Sequence, residues 1–258
     1  MTNEIAWISG DYQFTCDAID LDGADWYNRA GFIGDADGTT GILSVWINPT
    51  GDGTTRRIFQ SGSTGSSDKR TEITLTSGNL FRIHLENSAG ATIYEANSTI
   101  QFLAGTGWWC VQACWDMASA SNCHIMAGPV GGDLVDVTNI TILPSGTIDN
   151  TTSAAIIGAD NPGGGSGSRY TGGIAEFYLA NNQYLDLSVP ANSRHFRKQN
   201  GKPEYLGADG ALPTGVAPTC YLHVDDGGAA STFAINRAGN GDFSINGTPM
   251  IAATSPTD

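Results

Sequence analysis

The stretch that decides the fold is Gly107-Trp108-Trp109-Cys110-Val111-Gln112-Ala113-Cys114-Trp115-Asp116, followed closely by Asn122-Cys123-His124-Ile125-Met126-Ala127-Gly128. Read as an extended segment, the first run places Trp109, Val111, Ala113 and Trp115 on one face. Cys123, Ile125 and Ala127 do the same in the second run, and a short Ala/Ser/Asn connection joins the two. Alternation of period two is the signature of a strand half-buried against a core, so this is a β-hairpin with large aromatics directed inward.

The same pattern recurs outward from the hairpin. Strands are expected near Tyr12–Leu21, Ile42–Asn48, Arg57–Ser61, Glu72–Thr76, Leu80–Glu86, Thr92–Ala96, Ala155–Gly158, Gly172–Leu179, Thr219–His223, Thr232–Asn236 and Asp242–Ile245. Turn signals divide them, among them Thr50-Gly51-Asp52-Gly53, Ser77-Gly78-Asn79, Ser88-Ala89-Gly90 and Gly239-Asn240-Gly241. The one helix expected is short, around Val189 to Lys198, with Pro190 in its first turn and Gly201 placed to end it. The Gly-rich run 160–168 reads as a loop. Many short strands and no long helix specify an all-β sandwich or barrel. All-β folds of ~200–250 residues commonly form one domain. The 258 residues are therefore expected to be a single domain with its core over about 12–200. Residues 201–258, richer in Gly and Pro, read as a C-terminal extension packed on the same sandwich.

Charge narrows the partners. The net charge is −14 and no basic run offsets it, which opposes nucleic acid and anionic membranes. No apolar stretch approaches the ~20 residues of a membrane-spanning helix. The N-terminus, Met1-Thr2-Asn3-Glu4-Ile5-Ala6-Trp7, lacks a basic and an apolar signal region. With that and an odd count of 5 cysteines, reduced thiols are expected. Cys110 and Cys114 would lie ~13 Å apart along one strand, beyond disulfide reach. Cys114 and Cys123 can face each other across the hairpin.

Several motifs in order resemble a laminin G-like, or concanavalin A-like, jelly roll. Ile19-Asp20-Leu21-Asp22-Gly23 with Asp25-Trp26-Tyr27 resembles the family's opening strand. Gly41-Ile42-Leu43-Ser44-Val45-Trp46-Ile47-Asn48-Pro49 resembles its strand ending in Pro. Gly107-Trp108-Trp109 with Ala113-Cys114-Trp115-Asp116 resembles its Gly-x-Trp hairpin. Ile156-Ile157-Gly158-Ala159 with Tyr170-Thr171-Gly172-Gly173-Ile174-Ala175-Glu176-Phe177 resembles its closing strand. The region Phe196 to Phe243 looks like the C-terminal part of such proteins encoded by tailed bacteriophages. The resemblance implies a two-sheet antiparallel jelly-roll sandwich of roughly 12–14 strands. Its members bind glycans, proteins or calcium, and some hydrolyse polysaccharides, so the fold alone does not choose.

Catalytic readings are weak. Retaining glycosidases of this fold need two carboxyls ~5–5.5 Å apart, and the six glutamates (Glu4, Glu72, Glu86, Glu95, Glu176, Glu204) form no Glu-x-Asp-x-x-Glu strand. Glu176 stands beside aromatics but alone, and ordinary strand alternation reads it as an outward polar residue. No Gly-x-Ser-x-Gly elbow accompanies His84, His124, His195 or His223. No cofactor is required on this reading. Calcium is the one ion the resemblance allows, at Asp160 and Asn161 beside the Gly loop, where turn formation is the competing explanation; Asp35-x-Asp37-Gly38 and Asp225-Asp226-Gly227 are rivals. Glycan candidates are Trp108, Arg169 and Tyr170: an aromatic face for sugar C–H groups and a guanidinium for hydroxyls. Trp108 points away from the Trp109/Trp115 face, where it can be exposed, or packed under a loop or at a subunit contact.

Together these readings give a non-enzymatic virion surface protein of a bacteriophage, in capsid decoration or in a tail or fibre. It would be synthesised in the bacterial host cytoplasm and form a homo-oligomer. Its partners would be other virion proteins and cell-surface or environmental glycans. The alternatives are a stand-alone carbohydrate-binding module and a polysaccharide-degrading enzyme.

Overall fold

A computed structural model of the chain describes residues 14–30, 36–62, 69–160 and 168–258. Strands β1 (Cys16–Asp17), β2 (Ile19–Asp22) and β3 (Trp26–Ala30) precede the long β4 (Thr40–Pro49). Four consecutive strands follow: β5 (Arg56–Gly62), β6 (Lys69–Leu75), β7 (Leu80–Glu86) and β8 (Thr92–Gln101). Next come β9 (Trp109–Asp116), β10 (His124–Pro129), β11 (Val135–Asp136) and β12 (Thr138–Ile142). After β13 (Ala154–Ile157) and β14 (Thr171–Asn181), a one-turn helix, α1 (Pro190–Ser193), opens the C-terminal region. That region adds β15 (Cys220–Leu222), β16 (Val224–Asp225), β17 (Ser244–Asn246) and β18 (Met250–Ile251).

The strands form a two-sheet antiparallel jelly-roll sandwich. One sheet runs β11-β10-β9-β4-β14-β2-β18, with β15 also on β14. The second runs β12-β8-β7-β6-β5-β13-β3-β17. The C-terminal region thus supplies strands to both sheets, and β16 pairs with β1 beside them. The decisive hairpin forms as expected, with Val111 opposite Ala127, Ala113 opposite Ile125 and Cys114 opposite His124 rather than Cys123. Its inward residues Val111, Ala113, Trp115 and Ile125 join Leu43, Val45, Ile174 and Phe177 of the first sheet. Facing them are Tyr27, Phe59, Ile73, Phe81, Ile83, Leu85 and Tyr94 of the second.

The two outer faces differ, and the strand sequences explain why. In β7 (Leu80-Phe81-Arg82-Ile83-His84-Leu85-Glu86) polar residues recur at every second position, the mark of a sheet with one polar face. β4 and β9 are nearly continuous apolar runs, the mark of strands covered on both sides. The outward residues Ile42 of β4, Cys114 of β9, Met126 of β10 and Tyr178 and Ala180 of β14 pack with Leu187, Phe196, Leu206 and Tyr221 from the C-terminal region. Farther along, Trp46, Trp108, Cys110, Ala175 and Ala18 form a second outer cluster, with Ala252 against it. A single layer of chain therefore buries the first sheet from outside.

Four expectations change here. Trp108 is 6% exposed, buried in this outer layer, with its Nε1 donating to Thr254 Oγ1 at 3.1 Å. The backbone at Gly173 comes so close that a Cβ there would lie 2.5 Å from the indole. The expected strand over Thr232–Asn236 is instead a 3₁₀ turn, Ala230–Ala234, whose Phe233 is buried against Tyr27. The expected helix shrinks to Pro190–Ser193, because Asn192, Ser193 and His195 are weak helix formers and Arg197 bridges to Pro203. Strands β3, β11, β12, β16 and β18 were not anticipated: all are five residues or shorter, too brief for a period to show.

Candidate functional site

Of the three residues expected to make a glycan face, the structure leaves one at the surface. Trp108 is covered as described. Tyr170 is fully buried in the main core, its hydroxyl donating to the Gly173 carbonyl at 3.3 Å. Neither ring offers a face to a sugar. Arg169 is half-buried, stacks over the Trp26 ring at 4.3 Å, and donates to the Gly23 carbonyl at 3.1 Å. Asn161 and the loop 161–167 lie outside the described residues, as does Asp35.

Asp160 is half-buried, with its Oδ1 shielded and without a hydrogen-bond partner. Burial lowers the Arg57 pKa to about 10, and the charge of Asp160 works against that lowering. Among the described residues no group of three or more His, Cys, Asp or Glu side chains could hold a metal ion.

Arg169 borders something the sequence reading did not single out: the outer face of the second sheet. Register places Asn28, Ile156, Gln60, Glu72, His84 and Glu95 in one row across β3, β13, β5, β6, β7 and β8, polar but for the buried Ile156. Arg57, Thr74, Arg82, Asn97 and Asn139 form the next row. The floor is charged. Glu72 is 1% exposed and ion-pairs with both Arg57 and Arg82. Thr74 links them, accepting from Arg57 Nη1 at 2.8 Å and donating to Glu72 Oε1 at 2.9 Å. Above this floor, partly exposed, stand Asn28, Arg82, His84, Glu95, Asn97 and Asn246. The Asn246 amide donates to Asn28 Oδ1 at 2.6 Å, and the His84 ring sits between Glu95 (3.1 Å) and Glu86 (3.0 Å). Burial raises the Glu95 pKa, but hydrogen bonds from His84 and Thr141 and the charge of Arg82 outweigh it and hold the carboxyl below its ordinary value. It is an acceptor for hydroxyl groups rather than a proton donor. The legible signal was the alternation of β7 itself, with Arg82, His84 and Glu86 spaced to share one face.

Glu176 corrects another expectation. It is not an outward polar residue but 2% exposed, at φ +47°, where the register of β14 on β4 slips between Ala175 and Tyr178. A bulge of this kind redirects a side chain. Here Glu176 Oε2 accepts from the Tyr221 hydroxyl at 2.9 Å, and Oε1 lies 2.8 Å from His223 Nδ1. The other imidazole nitrogen is 2.9 Å from Asp225 Oδ1. Burial works to lower the His223 pKa; the hydrogen bond and charge of Glu176, with Asp225, outweigh it and raise the pKa. Both ring nitrogens are engaged and the carboxylate is enclosed, so this cluster ties β14 to β15 and β16 rather than meeting a substrate.

No family model matches the chain, and no curated protein matches it significantly. Solved structures do. A Bacteroides ovatus protein described as carbohydrate-binding superposes with a TM-score of 0.60 at 12% identity. The match covers 93% of this chain and 60% of that one, so the chain spans less than two thirds of its neighbour's length. Laminin G domains 4–5 of the mouse laminin α1 chain match with a TM-score of 0.43 at 16% identity, over 67% of this chain and 43% of that one. The carbohydrate-binding module of a Ruminococcus gnavus sialidase, bound to sialyllactose, matches with a TM-score of 0.41 at 14% identity, over 64% of this chain and 96% of that one. Identities this low establish the shared jelly-roll fold and nothing finer.

Proposed function

We propose that this protein is a non-catalytic carbohydrate-binding domain whose glycan surface is the outer face of its second sheet. The observation that carries the reading is the asymmetry of the sandwich: the first sheet is sealed on both sides, whereas the second presents amides, guanidinium, imidazole and carboxylate in adjacent rows. Asn28, Asn97, Asn246 and Arg82 supply donors, Glu95 supplies an acceptor, and Arg169 on Trp26 borders the face. The description of the Bacteroides ovatus neighbour as carbohydrate-binding agrees with this reading. A broad polar strip of this kind suits weak contacts along an oligosaccharide. Display in several copies would raise avidity by ~10²–10⁴ where target spacing lets several engage.

A glycan array probed with the protein tests the reading. Binding that survives in Tyr170→Phe but is lost in the folded double variant Arg82→Ala, Asn97→Ala is expected. Binding unchanged in the double variant, or reducing sugar released from a polysaccharide, would overturn it.

The finer setting follows from the sequence resemblance: display on a bacteriophage particle as a homo-oligomer, held by other virion proteins. The acidity and the C-terminal resemblance support it, and mass spectrometry of purified particles tests it. A monomer that binds one defined sugar and is missing from particles would favour the stand-alone module.

A further inference from the structure

A cleft of about 500 Å³ opens on the opposite side of the molecule, outside the first sheet. Its walls are Met126 of β10, the turn 133–135 and the segment 187–199. A volume of this size lies in the range of ~300–1,000 Å³ typical of small-molecule sites.

The charges around it are unlike those of the rest of the chain. The protein carries 12 Lys and Arg residues against 26 acids. Three of those cations, Arg194, Arg197 and Lys198, line this one cleft, with Asp133 as its only acid. Elsewhere the described cationic side chains are engaged. Arg29, Arg56, Arg169 and Lys202 donate to backbone carbonyls, and Arg57, Arg70, Arg82 and Arg237 meet carboxylates. The side chains of Arg194 and Lys198 have no hydrogen bond, ion pair or ring contact among the described residues. Arg197 is built in: it is 5% exposed, and its Nη2 donates to the carbonyls of Pro129 (2.8 Å) and Gly132. Its Nε is buried without an acceptor. An anchored guanidinium thus underlies two unpaired cations, beside the apolar surface of Met126, Leu134, Val135 and Leu187.

We infer that this cleft binds the acidic residue of a saccharide, a sugar ring bearing a carboxylate or a sulfate. Arg194 and Lys198 would take the oxyanion, and the side chains of Met126, Leu134 and Leu187 the C–H face of the ring. In a chain of net charge −14 such a pair draws anions locally against the overall field. The anion follows from the cleft alone; the sugar as its carrier rests on the glycan-binding reading above.

Isothermal titration calorimetry of the full chain tests this with four probes: a glucuronate-containing disaccharide, a sulfated disaccharide, neutral cellobiose and inorganic sulfate. At least one acidic disaccharide is expected to bind, and which one separates carboxylate from sulfate recognition. Its affinity should fall about tenfold or more in Arg194→Ala, Lys198→Ala, and should fall again on raising the salt, which screens exposed charges. Both side chains lack partners, so the double variant should keep the wild-type circular dichroism. The sheet-face variant Arg82→Ala, Asn97→Ala should leave this binding unchanged, which keeps failure here distinct from failure of the sheet-face site. Acidic disaccharide binding that ignores the Arg194/Lys198 variant, or no binding of either acidic probe, overturns the inference. Cellobiose bound here as tightly as the acidic sugars overturns the anion, and inorganic sulfate bound as tightly overturns the sugar.

Discussion

Trp108, just before β9, and Trp109, its first residue, are covered by different parts of the protein. Trp109 packs edge-on against Phe102 between the sheets, whereas Trp108 lies in the outer layer with Trp46 and Ala175. Alternation alone assigns Trp108 to the far face but says nothing of what covers that face. With the cover in place, Trp108→Ala is expected to cost about 3–5 kcal/mol, the range for losing a buried Trp, and so to resemble Trp115→Ala. Urea denaturation of both variants checks this; a Trp108→Ala midpoint at the wild-type value would show the outer layer to be loose there. His223 makes a second prediction, through its pH dependence. Because its pKa is raised in the fold, by Glu176 above all, the folded protein keeps the proton to higher pH than the unfolded chain. That contribution is full below the unfolded value of ~6.5 and vanishes as pH rises through the raised folded value. His223→Gln donates a hydrogen bond but cannot titrate, so the gap in thermal midpoint between wild type and variant should be widest near pH 5.5 and shrink toward pH 8.5. A gap independent of pH would mean that folding leaves the imidazole pKa unchanged, and a gap that narrows toward low pH would mean that the imidazole is held neutral in the fold.

Among the elements, β6 carries the charged floor of the proposed glycan face. Glu72 neutralises Arg57, which is 3% exposed, and removing one member of a buried pair typically costs ~3–5 kcal/mol by stranding the other. Glu72→Ala should therefore destabilise far more than Glu95→Ala, whose side chain is 21% exposed; comparable losses in chemical denaturation would show that Arg57 finds another partner. Strands such as β4, β7 and β9 were legible because their period or their continuous apolarity is long enough to outweigh turn residues. Others were not: β3 is Trp-Tyr-Asn-Arg-Ala and β12 is Thr-Asn-Ile-Thr-Ile, and pairing with β13 and β17 or with β8, rather than internal pattern, makes them strands. The proposed site was only half legible for the same reason. Each of Asn28, Glu72, Arg82 and Glu95 reads singly as an ordinary outward residue, and only the register of six strands sets them on one face. The Glu176 bulge was hidden as well, since period two assumes an uninterrupted ladder, and the slip at Ala175/Tyr178 breaks it.

For the whole molecule, the C-terminal region decides whether the sandwich stands alone. Leu187, Phe196, Leu206 and Tyr221 bury the outer face of the first sheet. At about 1.5–3 kcal/mol for each fully buried side chain, the four together contribute roughly 6–12 kcal/mol, as much as the ~5–15 kcal/mol net stability of an ordinary domain. Strands β15, β17 and β18 also complete sheet edges at β14, β3 and β2. The chain should therefore unfold as one unit. The cysteines are part of that unit: all 5 are buried and free, and burial pushes the Cys110 and Cys114 thiols up to about 12. Cys114 points into the outer layer while Cys123 points between the sheets, so the two cannot pair across the hairpin. Native protein is expected to resist thiol alkylation and to keep its thermal midpoint under reductant, then to react at all five positions once denatured. Limited proteolysis with mass readout gives the sharper test of unity. Cleavage at surface loops should leave the pieces associated, with no stable fragment ending near Asn192. Recovery of such a fragment, folded and soluble, would mean that the face carrying Ile42, Trp46 and Tyr178 can stand bare in water, and that the C-terminal layer is a separate addition to a sandwich complete without it.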